Sequence, residues 1–389
     1  MRICLLSLDY WPHRSSGLAI YAEDLARGLH ERGHRVTVVA ALRPGTVPQA
    51  LVRGITVQRV PIGISDWIMY SARASHLVER LDRQQRFDVV HFLDVHFAYC
   101  YRRPFVASLW QSFRQRLCAD GGHPYASSWR NKLVRRSYYS LARRWMEPTS
   151  LARAGRLIAA CDSTAHEFIA QYQVAPERID RVVQGTDLSG LGPVPTAHLR
   201  QRLGLEGCRV VLFVGFATAR KGLEYLARAL QLLPPDVVWV MVGRWEPGYR
   251  ARVIHALGNA APRFIEVGYI EDHERAGYYS LADVYVSPSL LEGFGLTPIE
   301  SQACQTPAIV TDASSGQEEV GDAGIVVPAR DAGALAAAIR RLLDAPTLRA
   351  ELGARAYARV HQQFSYQAMA AQTEASYMRF LDEQDCRRR

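Results

Sequence analysis

Short apolar runs alternate with amphipathic stretches along this chain, and the alternation is played through twice. Ile3 to Leu8 is apolar, Leu18 to Arg32 is amphipathic and closes on Gly33, and apolar runs return at Val36–Ala40, Ile55–Val60, Phe87–Phe92, Phe105–Leu109 and Leu157–Ala160. Runs of this kind read as strands buried on both faces, and strands that alternate with helices form a parallel sheet with helices on either side. Near Gly185 the chain loosens into GTDLSGLGPVPT, whose glycines and prolines mark a linker. Strand-like runs then restart at Arg209–Val214, Val237–Val242, Phe264–Val267, Val284–Val286, Ala308–Val310 and Gly324–Val327, with a helix expected from Gly222 to Leu233. The expected fold class is α/β, with two doubly wound, Rossmann-like domains facing a central cleft. The expected divisions are residues 1–187 for the first domain, 188–205 for the linker, 206–364 for the second domain, and 365–389 for a terminal helix returning toward the first.

A length of 389 residues supports two cores, and 48% hydrophobic with 22% charged residues is the balance of a globular chain. No apolar run is long enough to span a bilayer, and Asp9 and Pro12 interrupt the start too early for a signal peptide, so a cytoplasmic location is expected. The seven cysteines are scattered without a C-x-x-C and read as reduced, mostly core thiols. The net charge of +9 comes from arginine, because Lys132 and Lys221 are the only lysines. With no finger spacing, RNA-recognition signature or repeat, the excess charge suits anionic partners other than nucleic acid.

The most informative stretch is Ser287 to Pro307, SPSLLEGFGLTPIESQACQTP. A strand should end at Ser287 and a glycine-containing loop should follow. Thr297 and Pro298 then suit the N-cap and first position of a helix. Amides at such a helix start, beside glycines that admit close approach, suit an anion or a sugar. Glu292 in the loop and Glu300 in the first turn can face one ligand. Thr297-x-x-Glu300 is equally the spacing of a capping box, which needs no ligand.

The same stretch resembles the E-x7-E region of glycosyltransferase family 4, the retaining enzymes of GT-B fold. Further segments are similar to that family in order. FVGFATARKG (Phe213–Gly222) resembles its G-R-x-x-x-x-K-G loop, and YSLADVYVSPS precedes the first glutamate. SGQEEV (Ser315–Val320) resembles its G-G-x-x-E segment, Gly33-His34-Arg35-Val36 its G-H-x-V, and Gln184-Gly185-Thr186-Asp187 its N-G-V-D.

The resemblance implies transfer of a sugar from a UDP- or GDP-sugar with retention of configuration, with no cofactor beyond that co-substrate and no metal. By position, Lys221 with Arg220 would neutralise the diphosphate, and Glu292 would hold the transferred sugar. Gly215 and the amides of Phe294, Gly295 and Leu296 would lie alongside, Glu300 would accept from the ribose, and the backbone of Tyr269 and Ile270 would meet the base. Ser16 and Gly17 would approach the diphosphate from the first domain. Glu292 orients and does not attack. Two departures stand out: Phe216 occupies the position of the loop's arginine, and Trp110, followed by Gln111, stands where the family places a histidine near the sugar. Trp110 and Gln111 are therefore the candidate acceptor contacts, with core packing the other reading for the indole. No His/Cys/Asp/Glu cluster has metal-ligand spacing, Asp94-x-His96 being too little.

The expected acceptor is a glycan, a lipid-linked sugar or a small molecule, in bacterial cell-surface or glycoconjugate synthesis. Residues 128–156 hold eight Arg or Lys residues against one acid, Glu147, with Leu133, Val134, Tyr138, Leu141 and Trp145 at helical spacing. That segment suits peripheral contact with an anionic membrane, or else a core-packed helix with a solvated cationic side. The alternatives to a transferase are a weakened homologue that binds nucleotide-sugar or scaffolds an assembly, and a sugar-nucleotide epimerase of the same architecture.

Overall fold

The computed structural model describes residues 1–13, 16–62, 66–118, 129–313 and 315–388. The chain divides into two compact units: residues 1–114, 138–187 and 364–389 in the first, 115–137 and 188–363 in the second.

The first unit is built on an eight-stranded sheet. Its strands are β1 (Arg2–Leu6), β2 (Arg35–Leu42), β3 (Gln49–Val52), β4 (Ile55–Pro61), β5 (Val89–Phe92), β6 (Val106–Leu109), β7 (Arg156–Ala159) and β8 (Ile179–Arg181). Their spatial order is β3-β4-β2-β1-β5-β6-β7-β8, and every pairing is parallel except that of β3 with β4. Side chains alternate faces along a strand. Ile3 and Leu5 of β1 therefore enter one core, with Leu25 and Leu29 of the helix Gly17–Glu31, while Cys4 and Leu6 enter the other, with Tyr70 and Val78 of the helix Asp66–Gln85. The terminal helix Tyr366–Arg388 shares the first of these cores. Gly28 permits this packing, since a Cβ there would lie 2.6 Å from the Cβ of Ala370. Tyr377 joins its hydroxyl to His91 Nδ1 at 2.7 Å, and Tyr366 donates to Glu31 Oε2 at 2.9 Å.

The second unit has six parallel strands: β9 (Arg209–Val214), β10 (Val237–Val242), β11 (Phe264–Gly268), β12 (Val284–Ser287), β13 (Ala308–Thr311) and β14 (Ile325–Val327). They are ordered β11-β10-β9-β12-β13-β14. Val211, Phe213, Trp239 and Met241 pack with Leu223, Leu226 and Leu230 of the helix Leu223–Gln231 and with the helix Ala332–Asp344. The chain moves outward from β9 to β11, then crosses back to place β12 on the other side of β9. Ligands of such sheets sit at the carboxyl ends of the strands where the order reverses. Here that is between β9 and β12.

The strands differ from expectation at β3 and β8, which the apolar runs do not mark. Of the seven cysteines only Cys4, Cys161 and Cys304 are buried, while Cys118 and Cys386 are exposed, so most are not core thiols. The 128–156 segment also departs from a core-packed apolar face. Tyr139, Ala142 and Met146 turn inward, whereas Leu141 and Trp145 are 57% and 55% exposed. Ser128 and the side chains of Arg130, Lys132 and Arg135 lie outside the described residues.

Candidate active site

In the second unit, the loops after β9 and β12 meet at the reversal. After β9 the backbone turns at Gly215, passes exposed Phe216, and makes the short turn Ala219–Lys221. Gly222 ends the turn at φ +63°, where a Cβ would lie 2.2 Å from the carbonyl oxygen of Pro288. This close approach laces the two loops: Leu290 N donates to the Arg220 carbonyl at 2.7 Å, and Arg220 Nη1 donates to the Leu291 carbonyl at 3.1 Å.

Both cations of the first loop converge on the glutamate of the second. Arg220 Nη1 donates to Glu292 Oε1 at 2.9 Å, and Lys221 Nζ donates to Oε2. The Lys221 and Glu292 side chains are each only 12% exposed. Burial alone would raise the Glu292 carboxyl, but Arg220 and Lys221 outweigh it and bring it down to about 2. Burial also draws the Lys221 ammonium below its ordinary value, against the pull of Glu292. Two cations thus face one carboxylate that is ionised at neutral pH, a locus with positive charge to spare for an anion.

Glu319 is a further member of this cluster. Its buried Oε1 accepts from Gly295 N at 2.6 Å and from the Ser315 hydroxyl at 2.5 Å. Burial, with Glu292 nearby, raises it to about 7. The SGQEEV resemblance marked its segment without assigning it a role. The bond also means that the Gly295 amide, a proposed ligand donor, already has an acceptor.

The helix after this loop starts earlier than expected. It spans Leu296–Ala303, and Gly295 is its N-cap. Thr297 is therefore not the cap but the second residue of the helix, where its Oγ1 accepts from the Tyr285 hydroxyl at 2.7 Å. Nor is there a capping box, because Glu300 turns to the helix Arg275–Leu281. Its Oε1 accepts from Arg275 Nη1 at 2.5 Å and its Oε2 from the Tyr279 hydroxyl at 2.6 Å. At the end of β11, Tyr269 is 60% exposed with the Arg244 guanidinium 4.6 Å from its ring centroid, and Ile270 is half-buried beside it.

Of the first-unit candidates, Ser16 and Gly17 follow β1, which borders that sheet's own reversal between β1 and β5. Ser16 caps the helix Gly17–Glu31 by accepting from Ala19 N at 3.2 Å, and Gly17 is exposed. Trp110 follows β6. Its indole N–H donates to the Leu93 carbonyl at 2.6 Å and its ring meets Tyr21 edge-on at 5.0 Å, which is packing geometry. Gln111 is half-buried. Close by in sequence, His96 is fully buried between Asp94 Oδ1 and Glu147 Oε1, each at 2.8 Å. Burial opposes its charge, but the two carboxylates raise it to about 9. Among the described residues, no group of three or more His, Cys, Asp and Glu side chains is arranged to hold a metal ion.

Residues 15–189 match the model of "Glycosyltransferase Family 4", and residues 196–359 match that of "Glycosyl transferases group 1". A D-inositol 3-phosphate glycosyltransferase from Acidothermus cellulolyticus is 31% identical over 382 residues, covering 87% of this chain and 80% of that protein. The chain belongs to glycosyltransferase family 4. Its fold is correspondingly GT-B. Sucrose-phosphate synthase from Thermosynechococcus elongatus superposes with a TM-score of 0.80 at 22% identity, over 98% of this chain and 99% of that one. The Anabaena HepE protein, solved with UDP and glucose, gives 0.73 at 19% identity, over 97% and 99%. This glycosyltransferase therefore places Lys221, Arg220 and Glu292 on the two loops that flank its β9–β12 reversal.

Proposed function

We propose that this glycosyltransferase takes a UDP- or GDP-sugar as donor, retains the anomeric configuration and needs no metal. The supporting observation is the convergence of Lys221 and Arg220 on Glu292 at the β9–β12 reversal. Lys221 and Arg220 are assigned to the diphosphate, where their attraction grows as charge develops on the departing phosphate oxygen. Arg220 takes over the place of the loop arginine that Phe216 replaces. Glu292 is assigned to the transferred sugar's hydroxyls, Glu300 to the ribose, the backbone of Tyr269 and Ile270 to the base, and Gly215, Phe294 and Leu296 to the donor's surroundings. Ser16 and Gly17 are assigned to the diphosphate, Trp110 and Gln111 to the acceptor side.

With Glu292 tied to two cations, retention is assigned to front-face attack. The bond from C1 to the phosphate oxygen breaks as the bond from C1 to the acceptor oxygen forms on the same face, and the acceptor's proton passes to the departing phosphate. The acceptor is assigned to glycans, glycolipids or small molecules of bacterial glycoconjugates. Peripheral contact with an anionic membrane is supported by exposed Leu141 and Trp145 beside exposed Arg143 and Arg144, since the segment's acid, Glu147, is buried against His96.

The test is titration calorimetry with UDP and GDP, followed by turnover of the matching sugar nucleotide in excess EDTA. Binding lost in Lys221→Ala and a product of unchanged anomeric configuration by NMR are expected. An inverted product, or activity abolished by EDTA and restored by a divalent ion, overturns the mechanism. Binding of neither nucleotide at millimolar concentration favours the scaffolding reading.

A further inference from the structure

Glu300 is held more tightly than a group that merely lines a site. Its side chain is 5% exposed, and each carboxylate oxygen has its own donor, a guanidinium nitrogen of Arg275 on one and the Tyr279 hydroxyl on the other. Both donors come from the helix Arg275–Leu281, which is anchored beneath: the Tyr279 ring is fully buried, and its carbonyl accepts from the Thr306 hydroxyl at 2.7 Å. A glutamate carboxylate has about four acceptor sites, two per oxygen. With one used on each oxygen, one remains on each, and the pair is fixed in direction. That is the acceptor pattern for a vicinal diol. A single hydroxyl can satisfy only half of it, and a buried acceptor left unpaired costs binding free energy.

We propose that Arg275 and Tyr279 are positioning residues that pin Glu300 so that it accepts from both hydroxyls of a ribose, which makes the site select ribonucleotides over 2′-deoxyribonucleotides. This inference rests on the assignment of Glu300 to the ribose. Arg275 suits the role through its planar fork, which fixes an angle as well as a charge. Tyr279 suits it because a phenol on a buried ring has little freedom to redirect its O–H. A free glutamate side chain would have to be ordered on binding, whereas one held on both oxygens has already lost that entropy.

The experiment is calorimetry on the full-length protein with UDP, GDP and their 2′-deoxy forms, comparing wild type with Tyr279→Phe, Arg275→Gln and Glu300→Gln. The wild type is expected to prefer the ribonucleotide by about tenfold or more, the scale of one hydrogen bond to a charged acceptor. In Tyr279→Phe and Arg275→Gln the preference should shrink below about threefold, through weaker ribonucleotide binding with little change for the deoxy form. Arg275→Lys, which keeps charge without the fork, should recover only part of it. If both variants weaken the two forms equally, their role is structural only and the proposal falls. Should Tyr279→Phe fail to fold, the Arg275 pair decides the matter alone, because that side chain is 23% exposed and both replacements leave a long polar chain in its place. Equal binding of both forms by the wild type, or an undiminished preference in Glu300→Gln, overturns the ribose assignment itself and this inference with it.

Discussion

The amide of Gly295 donates to Glu319 Oε1 at 2.6 Å, so the loop that presents Glu292 is fastened by a carboxyl from the segment after β13. Burial holds that carboxyl near 7, well above an ordinary glutamate. A carboxyl whose pKa is raised on folding binds protons more readily in the native state. Its contribution to stability is present in full below the unfolded value of 4.5 and is lost as the pH rises through about 7. Glu319→Gln keeps the accepting oxygen and removes the titration. It should fold normally, retain turnover and show a flatter decline of melting temperature between those pH values. Glu319→Ala strands the Gly295 amide and the Ser315 hydroxyl, at about 1–3 kcal/mol for each buried donor left unpaired. A stability–pH series on both variants checks this, and an unchanged slope in Glu319→Gln refutes it.

Glu292 stays ionised at neutral pH because Arg220 and Lys221 both reach it. Replacing Lys221 by alanine should lower kcat/KM by about 10²–10³, the usual effect of removing one preorganised donor from developing charge. The fold should survive, because Arg220 still neutralises Glu292. Glu292→Gln removes the anion and leaves two neighbouring cations; it should bind UDP or GDP as well as or better than the wild type while losing turnover. Calorimetry alongside initial rates separates these outcomes, and a Glu292→Gln protein with full kcat would overturn the assignment.

The doubly wound architecture was legible because strands buried on both faces, such as Val237–Val242, must be written as unbroken apolar runs. The half-exposed four residues of β3 and the three of β8, of which only Asp180 is buried, lack that requirement and leave no such signal. Lys221 and Glu292 could be picked out individually, but their pairing spans 71 residues and depends on the crossover from β11 to β12. The start of the helix at Leu296 also departs from the local signal. Thr297 is a good cap by local rules, yet its oxygen is claimed by Tyr285 on the strand before. Glu319 went unassigned because nothing local announces that a glutamate will reach across to another loop's amide.

His96 carries a charge in a core, held there by Asp94 and Glu147. Its pKa is raised on folding from 6.5 to about 9, so its stabilising contribution is complete below 6.5 and disappears as the pH climbs through about 9. Wild-type stability should therefore fall on the alkaline side of neutrality. His96→Gln should already be destabilised near neutrality, by about 3–5 kcal/mol if the partner carboxylates are left uncompensated, and should lack this decline. Urea unfolding at pH 6, 7.5 and 9 measures both, and parallel curves for the two proteins would refute the role.

The last prediction concerns backbone. Gly222 has φ +63°, a conformation that costs a residue with a Cβ about 1 kcal/mol or more, and any Cβ would stand 2.2 Å from the carbonyl oxygen of Pro288. Relief requires the loops after β9 and β12 to separate. That movement would break the bond from Leu290 N to the Arg220 carbonyl and draw Lys221 away from Glu292. The packed strands beneath are untouched, since the collision is with a loop carbonyl. Gly222→Ala should consequently fold with a modest loss of stability but lose most nucleotide affinity and turnover, a larger functional than structural defect. Thermal unfolding with and without UDP or GDP reads both quantities at once. A variant that melts near the wild type and gains the same stabilisation from nucleotide would show that the two loops need not be in register for donor binding.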